Sequence, residues 1–253
     1  MKKLRLSLYC FFLMTFTTNY AQVTTPKPGN FKSITDGGTG SQPILNTIMH
    51  DLLDNKNAYN SNLKTIGSPY LDESYKIATV YYQGELQENF YARHNILNDE
   101  IELKQTILPE EQPKALIRDK NIKLIFEDGK EIYFRKYKPK KDNAVNGFVY
   151  AINDSATYNA YKVINAKFSE GHAATSSMVK EVPNRFSHFS SYYYSSKPEE
   201  ILRPLPSNYK KFIKTLEPEL QEKLKAYIKE NRLNLKEDDE IKSIFDYLNN
   251  NLK

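Results

Sequence analysis

Strict alternation of apolar and polar residues restricts this chain more than any other feature. From Tyr75, Ile77, Thr79 and Tyr81 fall on one side of an extended chain, and Ala78, Val80 and Tyr82 on the other. Gln83-Gly84 interrupts the run, and Leu86 to His94 continues it, which predicts a hairpin. A second hairpin is predicted where Ile122, Leu124 and Phe126 alternate, Asp128-Gly129 supplies a two-residue turn, and Ile132 and Phe134 return. A third places Phe148, Tyr150 and Ile152 before a turn at Asn153-Asp154-Ser155, with Tyr158 to Phe168 returning. Residues 66–195 therefore read as an antiparallel β meander. The expected fold is mainly β in an α+β sense, half-barrel or barrel-like, with a short leading helix and a three-helix tail.

Helical spacing marks the flanks. Leu45, Ile48, Met49 and Leu52 recur at that spacing between Pro43 and Tyr59, with Pro43 suited to a first turn. Beyond Pro204 and Pro206, Ser207 is placed to cap a helix carrying Phe212 and Leu216. Pro218 opens another with Leu220, Leu224, Tyr227 and Ile228. The acidic run Glu237-Asp238-Asp239-Glu240 favours the start of a third, through Ile241, Ile244, Phe245 and Leu248.

The N-terminus has the order of a secretory signal: Lys2, Lys3 and Arg5, an apolar run from Leu6 to Phe16, then a polar stretch ending Asn19-Tyr20-Ala21-Gln22. The run is shorter than the roughly 20 residues that span a bilayer, so cleavage after Ala21 and no transmembrane span are expected. The division read from sequence is a signal peptide (1–21), a flexible leader rich in Thr, Pro, Gly and Ser (22–42), an antiparallel β domain with its leading helix (43–200) and a helical tail (201–253). The only cysteine, Cys10, lies inside the signal, so a mature chain would hold no disulfide and do no thiol chemistry.

The formal charge of +5 shrinks on the same reading. Three of the 36 basic residues and none of the 31 acidic ones lie in the signal, which leaves +2. Such a balance gives no electrostatic footprint for nucleic acid. The cluster Arg135-Lys136-Tyr137-Lys138-Pro139-Lys140-Lys141 reads as the end of a strand running into a solvated loop.

Candidate chemistry is sparse. His50, His94, His172 and His188 stand at no metal-ligand spacing, so neither a metal nor a cofactor is expected. Asp99, Glu100 and Glu102 are the densest carboxylates of the β region and the only plausible carboxylates for a hydrolase, since paired carboxylates perform glycoside hydrolysis. Alternation with Ile101 and Leu103 instead predicts that Glu100 and Glu102 lie on a solvated face and are structural. Phe189, Tyr192, Tyr193 and Tyr194 concentrate ring area near the end of the β region. They read either as a strand closing the sheet or as a platform that stacks on glycan.

The segment Gly67-Ser68-Pro69-Tyr70-Leu71, then Gly84-Glu85-Leu86, then Arg93-His94-Asn95 with Asn98-Asp99-Glu100-Ile101-Glu102, resembles uncharacterised exported proteins of Bacteroidota. The Gly147-Phe148 strand, Tyr192-Tyr193-Tyr194 and the tail from Leu224 to Leu248 are similar too, so the resemblance covers about residues 66–250. The residue between that Arg and Asn is usually tyrosine in the group, and here it is His94. The resemblance implies a periplasmic or envelope-associated protein. It carries no activity with it. The expected role is a non-enzymatic binding or structural protein whose partner is an envelope protein, lipid or glycan; the alternative is a hydrolase of envelope glycan or peptide.

Overall fold

Twelve strands are hydrogen-bonded into one curled, half-barrel sheet in the computed structural model, which describes residues 47–52, 63–140, 142–154, 157–174, 176, 178, 180–197 and 201–251. The expected signal and leader, residues 1–42, lie outside the described residues. In chain order the strands are β1 (Met49–His50), β2 (Thr65–Ile66), β3 (Lys76–Tyr82), β4 (Glu85–Asn95), β5 (Glu100–Lys104), β6 (Lys114–Leu116), β7 (Ile122–Phe126), β8 (Glu131–Tyr137), β9 (Val145–Asn153), β10 (Asn159–Ser169), β11 (Asn184–Ser195) and β12 (Arg203–Pro204). Across the sheet they run β1-β6-β5-β4-β3-β7-β8-β9-β10-β11-β12, with β2 beside β11.

Two features depart from a simple antiparallel meander. The chain winds outward from β3 to β6 and then crosses back, so that β7 pairs with β3 rather than with β6. The sheet is also mixed, because β2 runs parallel to β11, Thr65 facing Asn184 and Ile66 facing Arg185. This parallel edge delivers the following segment, residues 67–75, across the outer side of β4 and β5. There Leu71 donates its N–H to His94 O at 3.0 Å, and Ile96 donates to Pro69 O at 2.9 Å.

The predicted hairpins form, but Asn153, expected in the third turn, ends β9 opposite Ala160, Ser155 of that turn lies outside the described residues, and the second hairpin changes its turn. Asp128-Gly129 does not make a two-residue turn: Phe126 N–H donates to Lys130 O and Gly129 N–H to Phe126 O, both at 2.9 Å. Glu127, Asp128 and Gly129 thus form a three-residue loop with Gly129 in the left-handed region at φ 83°. Asp128 is not left-handed, as a two-residue primed turn would require. The two-residue turn belongs to Gln83-Gly84, both at positive φ (55° and 83°), between the paired Tyr82 and Glu85.

Of the helix expected between Pro43 and Tyr59, residues 43–46 and 53–59 lie outside the described residues. Thr47 and Ile48 are helical, but Met49 and His50 are strand, paired with Leu116 and Ala115. Edge pairing to β6 overrides their helical spacing.

The tail forms α1 (Tyr209–Ile213), α2 (Pro218–Glu230) and α3 (Asp238–Asn250). Asn208, not Ser207, caps α1, its side chain accepting from Lys210 N–H. Leu216 lies past the end of that short helix but is still buried. Pro218 opens α2, and Asp238, Asp239 and Glu240 fill the first turn of α3.

One face of the sheet holds a core built on Val80, Phe90, Ile101, Leu103, Leu124 and Phe148. The helices add a second core in which Leu224, Ile241, Phe245 and Leu248 pack with Tyr158, Ala160 and Tyr194. Asn249 fastens α3 to the sheet by imitating a strand: its Oδ1 accepts Tyr158 N–H at 2.9 Å and its Nδ2 donates to Tyr158 O at 2.8 Å.

Candidate functional site

All five residues of β5 are buried, and Glu100 and Glu102 are only 2 and 3% exposed. The solvated face that alternation predicts for them is therefore absent. Ile101 and Leu103 do point into the core, but the opposite face is covered by the 67–75 segment.

Glu102 is the centre of what lies beneath that cover. Its Oε1 accepts from Tyr70 Oη at 3.1 Å, and its Oε2 from Tyr75 Oη at 2.9 Å and Arg93 Nε at 2.8 Å. Arg93 Nη2 is 2.7 Å from the same Oε2. The guanidinium carbon lies 3.7 Å from the centre of the Tyr70 ring and 4.4 Å from that of Tyr75. A buried carboxylate survives only when paired and hydrogen-bonded, and these donors meet that need. Burial, then the charge of Glu102 and the bond to it, pushes the Tyr75 hydroxyl pKa up, so Tyr75 remains a donor. Arg93 also donates from Nη1 to Glu73 O at 3.2 Å, tying down the covering segment a second time.

His94 occupies the other face of β4, in the alternation with Phe90 and Ala92, and is 3% exposed. Its Nδ1 is 2.8 Å from Tyr150 Oη. Burial, followed by the charges of Asp99 and Asp128, pushes the Tyr150 hydroxyl pKa well up, so the phenol keeps its proton and is the donor in this bond. In a neutral ring the hydrogen then sits on Nε2. That atom lies 3.4 Å from Asp99 Oδ1 and has no hydrogen-bond partner among the described residues.

Asp99 is held by its own strained corner. It adopts φ 55° between β4 and β5, and both its oxygens face Phe148 N–H, at 3.3 and 3.2 Å. Gly147 makes this approach possible, since a Cβ there would lie 2.7 Å from Asp99 Oδ2 and 3.1 Å from Tyr137. Burial and then the Asp99 charge push the Tyr137 hydroxyl up to about 12.

A small, half-open cleft of about 40 Å³ lies above His94 and Tyr150. Leu71, Asp72, Ser74 and Lys76 form one wall, and Phe126, Asp128 and Lys130 of the β7–β8 hairpin form another. The rim carries two ion pairs, Lys76 with Asp72 at 2.6 Å and Lys130 with Asp128 at 2.5 Å. The hydrogen bond from Lys76, with a backbone one from Ser74, holds the Asp72 carboxyl below the usual range. Burial pushes Asp128 up, but hydrogen bonds from the Lys130 ammonium and backbone outweigh it and the net direction is down.

The aromatic residues of β11 are not brought to one surface. Tyr193 packs 4.9 Å from Tyr137, ring centre to ring centre, on the outer face. Tyr194 points the other way, edge-on to Phe212 of α1, with its hydroxyl on Thr215. Tyr192 is half-buried, its hydroxyl donating to Asp238 Oδ1 at 2.8 Å. Phe189 alone of the four is well exposed, at 54%.

Sequence reasoning passed over His94, Tyr150 and the rim charges. One signal was present: the alternation that puts Phe90 and Ala92 on the apolar face puts a histidine there as well. In comparisons with known proteins, no family model, no curated protein and no solved structure matches the chain.

Proposed function

We propose that this is an exported, envelope-associated protein that binds a ligand in the cleft above His94 and Tyr150 and performs no bond-breaking step. The condition of the carboxylates carries this reading. A glycosidase needs one carboxyl kept protonated to act as acid and a second free to act as nucleophile or base. Glu102 is instead occupied by Arg93, Tyr70 and Tyr75, and Asp99 by Phe148 N–H. Asp72 and Asp128 are held ionised at the rim by lysines. Tyr150, with its raised pKa, serves as a hydrogen-bond donor rather than a nucleophile. The N-terminal pattern of charge and apolar run, together with the resemblance to exported Bacteroidota proteins, supports the envelope as its location.

The test is affinity isolation of the tagged protein from envelopes, with protein, lipid and glycan identified, beside a Tyr150→Phe variant. The expected result is a component that the parent retains chemically intact and the variant loses. A component recovered as cleavage products would favour the hydrolase, and retention indifferent to Tyr150→Phe would remove the cleft from the account.

A further inference from the structure

We infer that residues 67–75 form a strap that opens as one unit while the sheet beneath it stays folded, baring a charged strand face and removing one wall of the cleft. None of these residues is buried, and none belongs to any of the three apolar cores. The ties that hold the strap are polar. Leu71 N–H donates to His94 O, and Pro69 O accepts from Ile96 N–H just past β4. Tyr70 and Tyr75 reach Glu102 through their hydroxyls. Glu73 O and Ser68 O accept from Arg93 and from the His188 ring, at 3.2 and 2.7 Å. At one end Gly67, at φ 82°, turns the chain out of β2 so close to β11 that a Cβ there would stand 2.7 Å from Phe186 O. At the other end β3 begins with Lys76.

Under the strap, β4 and β5 turn Arg93, Asn95, Glu100, Glu102 and Lys104 to one side, opposite the core residues Ile101 and Leu103. A cover over apolar side chains is held by the hydrophobic effect, and lifting it puts those side chains into water. Here lifting exposes ions. Arg93 and Glu102 belong to neighbouring strands, so their pair survives the opening and regains the hydration that burial took from it. What the opening gives up is a set of hydrogen bonds, and each is exchanged for one to water at a small net loss. Segments with few buried apolar contacts are the ones that open below the free energy of global unfolding. The strap also carries Leu71, Asp72 and Ser74 of the cleft wall. Its opening therefore enlarges a site that holds only about 40 Å³ when closed.

Native-state hydrogen exchange, followed by NMR on the folded protein, tests the strap. Two amides report on it: Leu71, bonded to His94 O at 3.0 Å, and Ile96, bonded to Pro69 O at 2.9 Å. Val80 and Leu124, buried and paired on both sides within the sheet, report on the core. Leu71 and Ile96 should show a common degree of protection, roughly a hundredfold or more below that of Val80 and Leu124. Low urea should speed the core pair and leave the strap pair nearly unchanged, because strap opening exposes little surface. Tyr75→Phe removes a hydrogen bond that touches neither reporter, and it should speed both by roughly tenfold, the usual scale for a bond to a charged group. Leu71 and Ile96 protected as strongly as Val80 and Leu124 would overturn the strap, since it would then open only with the whole sheet. A folded Tyr75→Phe variant that speeds neither reporter, or one without the other, would overturn the single unit. The comparison within the parent protein needs no variant, so it decides even where Tyr75→Phe fails to fold.

Discussion

Arg93 and Glu102 face each other across β4 and β5, and Arg93 meets the Oε2 of Glu102 through both Nε and Nη2, at 2.8 and 2.7 Å. The pair lies under the 67–75 segment and holds it through Tyr70, Tyr75 and the carbonyl of Glu73. That segment supplies one wall of the cleft, which Arg93 also lines, so the pair positions the site. Glu102→Gln should therefore destabilise the fold by about 2–4 kcal/mol, toward the range seen when one partner of a buried pair is removed. Urea unfolding measures it. A loss under about 0.5 kcal/mol is what an exposed glutamate would give and would contradict the clamp.

Gly129 holds φ 83°, and a Cβ built on it meets nothing within 4 Å. The cost of a side chain there is backbone strain alone. Gly129→Val should destabilise by about 1–3 kcal/mol, while Gly129→Asn, which tolerates the left-handed region, should lose much less. Equal losses for the two would show that the loop is not set by a left-handed residue.

Asn249 satisfies both backbone groups of Tyr158. Asn249→Leu leaves an N–H and a carbonyl unpaired at the junction of α3 and the sheet, at about 1–3 kcal/mol for each group. The expected result is a destabilised protein in which α3 exchanges its amide hydrogens before the β3–β4 hairpin does. Uniform exchange across helix and sheet would argue against Asn249 as the fastening.

The hydroxyl pKa values of Tyr75, Tyr133, Tyr137, Tyr150 and Tyr161 are all raised, first by burial. A raised tyrosine pKa gives stability that is whole below the unfolded value of about 10 and is lost as pH climbs through the folded value. Tyr137, pushed up to about 12, sets the lower edge among these groups. Stability should fall steeply from pH 10 to 12 and beyond. With 19 tyrosines and no tryptophan, tyrosinate absorbance reports this without interference. A fraction of the tyrosines should ionise only together with unfolding, and titration of all of them near pH 10 in folded protein would contradict the buried positions.

Much of the fold is legible in the chain because local chemistry dictates it. Alternation marks β3, β4, β7 and β8, Pro218 marks the start of α2, and the acidic run marks that of α3. What eludes such reading comes from distant partners. Ile101 and Leu103 are apolar for the core, yet nothing near Glu102 in sequence reveals that Tyr70 and Tyr75 arrive from 32 and 27 residues away. The segments Gly67–Leu71, Arg93–Asn95 and Asn98–Glu102, noted for their resemblance to exported proteins, meet in space at this cluster and at the cleft wall. Tyr193 and Tyr194 adjoin in sequence but point to opposite faces, as period two demands, so a run of rings is not a platform.

The ring nitrogens of His94 report most directly on the central claim that the cleft above His94 and Tyr150 is where this protein binds. Their ¹⁵N resonances can be followed in the protein while the component recovered from envelopes is added. The account predicts a free-state pattern with Nδ1 as acceptor from Tyr150, then a saturable shift of the His94 signals that tracks binding and is lost in Tyr150→Phe. Binding that leaves the His94 resonances unmoved would contradict it.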